Sequence, residues 1–171
     1  MSGRVLPLRG SSEPWSGGRV AGSARCVLAP NPSPWTLDGT NTWLLAAPGG
    51  RSAAVVDPGP ADRSHLSAIL SAAEEDGLRI DIVLLTHGHI DHAGGAGELA
   101  AQLGVPIEGP QREEAFWIDQ LVAQARGFGF PPARPFTPDR WLEDGDTVSV
   151  GKEILQVIFT PGHTPGHVVF F

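Results

Sequence analysis

Short apolar runs and amphipathic stretches alternate along the chain, separated by Gly, Pro and Asn. The runs RCVLAPN (25–31), TWLLAA (42–47) and SAAVVD (52–57) each have the length and composition of a strand. Between the first two, NPSPWTLDGTN concentrates turn chemistry, and APGGRS predicts a tight hairpin turn. In PGPADRSHLSAILSAAEEDG, Leu66, Ile69, Leu70 and Ala73 recur at helical spacing. Asp62 or Ala61 marks the start of that helix, and Gly77 stands where a C-terminal cap belongs. LRIDIVLLT (78–86) reads as a buried strand, GGAGELAAQLG (94–104) as a helix ending at Gly104, and VPIEG (105–109) as another short strand. REEAFWIDQLVAQA (112–125) carries Phe116, Leu121 and Val122 at helical intervals, and the Pro-rich stretch after it is a loop. Thr147–Val150 and Glu153–Thr160, joined by a Gly-Lys turn, predict a hairpin, and HVVFF (167–171) a last strand.

Strands in clusters with helices inserted between them predict an α/β fold of sheets covered by helices, not a helical bundle or an all-β sandwich. Residues 1–24 are rich in Gly, Ser and Arg and lack periodicity, so they are expected to form a mobile leader ahead of one domain over 25–171.

Composition narrows the function classes. A chain of 171 residues with 41% hydrophobic residues can build one domain with a real core. A net charge of −7 argues against a general nucleic-acid binder. Arg112, Arg126, Arg134 and Arg140 share a stretch with Glu113, Glu114, Asp119 and Asp139, which predicts a solvated mixed-charge surface. The single cysteine, Cys26, excludes an internal disulfide and a thiolate metal cluster, and fits a reducing compartment such as the cytoplasm. No apolar run approaches the ~18 residues of a membrane span.

The histidines carry the chemistry. His87, His89, Asp91 and His92 fall within six positions, THGHIDH, directly after a predicted buried strand, where ligand sites of α/β proteins usually lie. His-x-His puts two imidazoles on one side of an extended segment. Neutral imidazole and carboxylate suit zinc, iron or manganese. Four such groups along one segment need not all reach a single ion, and two ions ~3.5–4 Å apart fit the spread more naturally. His163 and His167, in FTPGHTPGH, also follow a predicted strand, so five of the six histidines sit just past strand ends in two clusters. His65, inside the predicted helix, is expected to be a surface or packing residue.

THGHIDHAGG matches the His-x-His-x-Asp-His signature of the metallo-β-lactamase fold superfamily. VVDPGP resembles that family's first motif and TPGHTPGH its third, while GTNTWLL and LEDGDTVSV resemble stretches of its glyoxalase II-like hydrolases and lactamase-like endoribonucleases. The resemblance spans about residues 25–171. It implies an αββα sandwich, two β-sheets flanked by helices. It also implies that His87, His89 and His163 hold one metal, that Asp91 and His92 begin a second site, and that Asp57 is a buried support near the metal loop and not a ligand. Asp57 as a simple strand-end turn residue is the alternative. His167 has no fixed role in most relatives and is expected to support the site or face substrate, or merely to start a strand.

The activity implied is that of a zinc-type hydrolase with one or two Zn2+ ions, Fe or Mn being possible. Its metal-bound hydroxide would attack an ester, thioester or phosphodiester, with Asp91 as the catalytic residue that orients the water or takes its proton. The acidic balance favours a small-molecule substrate. The resemblance keeps single-stranded RNA as an alternative partner. Nothing predicts a lactam pocket, and the family's di-iron oxygen-reducing members place Glu where this chain has His89. The family's later metal-bridging aspartate and second-site histidine have no counterpart before Phe171, so the second half of the fold is expected to be incomplete. On that ground an inactive metal-binding fragment is a further alternative, as is lower stability than full-length relatives. No membrane association is expected, and the sequence does not address oligomeric state.

Overall fold

A computed structural model describes residues 14–171. Six strands form the larger sheet in chain order: β1 (Gly18–Ala21), β2 (Ala24–Leu28), β3 (Asn41–Ala46), β4 (Ser52–Val56), β5 (Arg79–Leu84) and β6 (Ile107–Glu108). β1 to β4 run antiparallel, and β5 and β6 are added in parallel. The change of direction follows from the connections. A hairpin turn suffices between antiparallel strands, whereas a parallel neighbour needs a crossover. α1 (Arg63–Glu75) is the crossover to β5, and α2 (Ile90–Ala93) with α3 (Ala96–Leu103) leads to β6. The smaller sheet is the antiparallel set β7 (Thr147–Val150), β8 (Glu153–Phe159) and β9 (Val168–Phe170).

Alternation along β4 shows how the layers stack. Val55 faces a core shared with Leu66, Ile69 and Ala73 of α1 and Leu99 of α3. Ala54 and Val56 face the opposite way, into a second core with Val148, Val150, Val157 and Val168 of the smaller sheet. The large sheet is therefore covered by helices on one face and by the small sheet on the other, three of the four layers of the αββα sandwich that the resemblance implies. The outer face of the small sheet presents exposed Ile154, Ile158 and Val169.

Two expectations are corrected. Of the stretch read as a leader, residues 1–13 lie outside the described residues, but Gly18–Ala21 is strand β1, paired with β2. Its Gly and Arg content masks an edge strand whose side chains need no periodic burial. The helix expected over 112–125 is broken: a 3-10 turn at Arg112–Glu114 leads into α4 (Ala115–Asp119) and α5 (Leu121–Phe128), which meet at Gln120. Phe116 is consequently exposed, while Leu121 is buried. Of the two roles left open for His65, packing is the one found: it is 1% exposed in the first turn of α1. That helix starts as expected, with the Asp62 carboxylate accepting from the His65 N–H.

Arg140, in the arginine-bearing stretch, pairs with Glu108 and Asp146, acids outside the set expected around it. Among the described residues, no helix is long and apolar enough to cross a membrane.

Candidate metal centre

Every histidine that the motifs single out comes to one place at the strand ends. His87 and His89 follow β5, His92 lies in α2, and His163 and His167 sit on the loop between β8 and β9. That loop reaches the first because Val168, at the start of β9, donates its N–H to the carbonyl of Thr86. The ring centroids of His87, His89 and His163 form a nearly equilateral triangle, with sides of 4.8, 4.8 and 4.9 Å, and the rings stand nearly perpendicular to one another. One nitrogen from each ring lies within 4.8 Å of the others, so these three could hold a metal ion. His92 is 4.3 Å from His87 between centroids and His167 is 5.2 Å away.

Hydrogen bonds fix which nitrogen of His87 faces the cluster. Thr86 Oγ1 donates its only proton to Asp57 Oδ2 at 2.6 Å. At 2.9 Å from that hydroxyl, His87 Nδ1 must then be the donor. Nε2 is left as a bare lone pair, buried and without a partner among the described residues. A buried polar atom without a partner is unusual, and a neutral imidazole with a free Nε2 has the donor chemistry of a zinc ligand. The residues present therefore fit a divalent cation.

Asp57 organises both histidines. It directly follows β4 with φ +50°, in the left-handed region that Asp tolerates better than most residues. The residue is buried, and its side chain accepts from Thr86 N–H at 2.8 Å, from the Thr86 hydroxyl, and from His92 Nδ1 at 3.0 Å. Its backbone carbonyl accepts from Thr42 Oγ1 at 2.7 Å. With its acceptor sites so occupied, Asp57 reads as a support, although its carboxylate also lies within ligand range of His87 and His92. Asp91 Oδ2 stands 3.5 Å from His92 Nε2 and accepts from Thr40 Oγ1 at 3.3 Å. His167 Nδ1 is 2.8 Å from Thr160 Oγ1.

Electrostatics keep the centre receptive to a cation. Burial, reinforced by neighbouring His92, pushes the His87 pKa down to about 2, so its lone pair is free at neutral pH. Burial and the nearby His163 lower His89, and burial lowers His167. Burial opposes charge on His92 as well, but the Asp57 hydrogen bond and the charges of Asp57 and Asp91 outweigh it, and its pKa rises. Burial works against ionisation of Asp57, yet the bond to His92 and the charges around it leave its pKa lowered.

Sequence reasoning missed the residues that hold the motif loops from outside. Glu114, read as part of a mixed-charge surface, is fully buried and accepts from Gly88 N–H and Gly166 N–H. Gln124 accepts from Ile90 N–H and donates to the Gly88 and Trp117 carbonyls. The Trp117 ring meets His89 edge-on at 5.2 Å between centroids. An uncharged stretch with a lone acid would have been a signal, but Glu113 and Glu114 stand side by side between Arg112 and Asp119.

Comparison with known proteins supplies independent findings. The family profile of the metallo-beta-lactamase superfamily matches residues 35–171. The chain is 36% identical over 121 residues to the hydroxyacylglutathione hydrolase GloC of Haemophilus influenzae, covering 70% of this chain and 55% of that protein. It is 38% identical over 128 residues to the hydroxyacylglutathione hydrolase of Acidiphilium cryptum, covering 75% of this chain and 42% of that protein. Among solved structures it resembles TTHA1623 in a di-iron-bound form, with TM-score 0.67 and 29% identity, over 85% of this chain and 65% of that one. The chain spans about half the length of the curated relatives it matches.

Proposed function

This chain belongs to the metallo-beta-lactamase superfamily, and from that membership we propose that it is a metal-dependent hydrolase of small-molecule thioesters. The observation that carries the reading is the buried, unpartnered Nε2 of His87 beside His89 and His163. The hydroxyacylglutathione hydrolases among the relatives favour a thioester over the ester and phosphodiester alternatives. The net charge of −7 favours a small molecule over RNA.

In this reading His87, His89 and His163 hold one ion, zinc or iron, and Asp91 with His92 begins a second site. When bound there, a divalent ion would supply Lewis acidity, lowering the pKa of water toward neutrality. The remaining steps belong to the chain. Asp57 takes the Nδ1 proton of His92 in a hydrogen bond and, through Thr86, fixes the tautomer of His87. Asp91, held by Thr40, orients the attacking water and accepts its proton. His167, on the same rim, faces the substrate. The single, buried Cys26 accords with work in a reducing compartment such as the cytoplasm.

The test incubates the metal-loaded chain with an S-hydroxyacylglutathione and, separately, with single-stranded RNA, alongside His89→Ala. Thioester cleavage that disappears in His89→Ala is the expected result. Cleavage of RNA alone would replace the substrate assignment. Stoichiometric metal uptake without turnover of either would mark a binding module, and activity unaltered in His89→Ala would refute the site.

A further inference from the structure

We propose that Glu114 is a positioning residue: its carboxylate staples the two histidine loops to each other and so sets the spacing of the His87, His89 and His163 imidazoles. The inference rests on the reading that those three histidines hold a metal ion.

The two loops come from distant parts of the chain, and besides the Val168 N–H to Thr86 carbonyl bond at the start of β9 they are joined through Glu114. Glu114 spans them with one oxygen each. Oε2 accepts from the N–H of Gly88, the residue between His87 and His89, at 2.9 Å. Oε1 accepts from the N–H of Gly166, beside His167 and three residues past His163, at 2.7 Å. The side chain is 0% exposed, and among the described residues it takes part in no ion pair. A carboxylate buried without a cation is costly unless its oxygens are satisfied, and these two N–H groups satisfy it.

Both glycines show how closely the loops are drawn onto the Glu114 segment. A Cβ on Gly88 would stand 2.7 Å from the Trp117 Cβ, and one on Gly166 would stand 2.8 Å from Glu114 Cγ and 2.9 Å from the Gln111 carbonyl. Neither loop could carry a side chain at that point and still reach the carboxylate. Gln111 N–H also donates to the Gly166 carbonyl, and Gln124 grips the Gly88 carbonyl and Ile90 N–H from the far side. The 3-10 turn that interrupts the expected 112–125 helix is what aims Glu114 between the loops. The residue type matters as well. A carboxylate is a fork of two acceptors, whereas the isosteric amide is one acceptor and one donor. Glu114→Gln therefore sets an NH2 against one of the two N–H groups and cuts one arm of the staple while keeping the volume.

The experiment titrates zinc into the 171-residue chain and into Glu114→Gln in competition with a chromophoric chelator, and records visible spectra of the cobalt-substituted forms. The expected result is zinc affinity weakened by about 10–100-fold and a displaced cobalt absorption band, with the metal-free circular dichroism spectrum retained. Matching affinity and matching cobalt bands in the two proteins would overturn the staple alone. A wild-type chain that takes up neither ion would overturn the metal reading and the staple with it. Should Glu114→Gln not fold, hydrogen exchange in the wild type decides. The Gly88 and Gly166 amides should both exchange slowly and should slow together on adding zinc; independent behaviour would overturn the proposal.

Discussion

His92 Nδ1 lies 3.0 Å from Oδ2 of Asp57, the same oxygen that accepts the Thr86 hydroxyl, so one buried carboxylate orients residues at both ends of the motif, just past β5 and within α2. Asp57→Asn tests this without disturbing the backbone, because Asn also tolerates the left-handed conformation at that position. The amide must turn an N–H toward a donor. Zinc affinity should fall by about 10–100-fold, and the chain should lose about 1–3 kcal/mol in urea unfolding. Unchanged affinity by chelator competition would reduce Asp57 to a strand-end turn residue.

Asp91 is held by a hydroxyl from a different loop, Thr40 Oγ1 at 3.3 Å, which itself accepts from Asn31 Nδ2 at 3.0 Å. Thr40→Val keeps the shape and removes the donor. If Asp91 handles the proton of the attacking water, this variant should lower kcat while leaving zinc uptake near the wild-type value. Loss of zinc with kcat per bound ion intact would instead place Thr40 in metal retention.

The histidine cluster was legible because its chemistry is written on neighbouring residues. THGHIDH and TPGHTPGH each place their side chains by local turns after a strand, and the strands themselves announce their burial by composition. What holds the clusters was not legible. Glu114 reaches partners 26 and 52 residues away, and nothing in its immediate neighbours distinguishes it from a surface acid. The same holds for Thr42, whose hydroxyl supports the Asp57 carbonyl across two strands. Helical periodicity over 112–125 was real, but the chain breaks it to bring Glu114 and Gln124 to the loops, a tertiary demand that outweighs local propensity.

His65 should make stability depend on pH. Thr42 gives its proton to the Asp57 carbonyl, so His65 Nε2–H donates to Thr42 Oγ1 at 2.9 Å, and Nδ1 is buried without a partner among the described residues. Burial, only partly offset by Asp62, pushes the His65 pKa from 6.5 down to about 4. Between those values the unfolded chain binds a proton that the folded chain refuses. Stability therefore falls as pH drops from 6.5 toward 4, by up to about 3 kcal/mol, and the contribution levels off below that. His65→Gln should reduce the slope in this window without abolishing it, because buried His87, with its pKa pushed down to about 2, also refuses a proton there. Parallel wild-type and variant curves would remove His65 as a source.

The core between the two sheets can be checked by truncation. Leu84, 0% exposed, packs there with Val56, Val148 and Val157, and its carbonyl accepts the Asp57 N–H. Leu84→Ala should cost about 2–5 kcal/mol in urea unfolding. Ile154→Thr, on the outer face at 66% exposure, should stay within about 0.5 kcal/mol. A reversed ranking would mean that the small sheet presents its other face to the large one.

Removing the metal should separate the roles of two proposed ligands that differ in burial. His163 is exposed, whereas His87 is 2% exposed and hydrogen-bonded through Nδ1. In the metal-free chain, His163→Ala should therefore leave the melting temperature nearly unchanged, and His87→Ala should lower it by opening a cavity and leaving Thr86 Oγ1 short of a donor. Adding zinc at about a hundredfold excess over its Kd stabilises a competent site by about 2.7 kcal/mol. The wild type should gain that increment and lose it again with a chelator, while both variants should gain far less. A zinc-induced rise in His163→Ala equal to that of the wild type would mean that the loop between β8 and β9 contributes no ligand, and the convergence of the two histidine clusters would then serve packing alone.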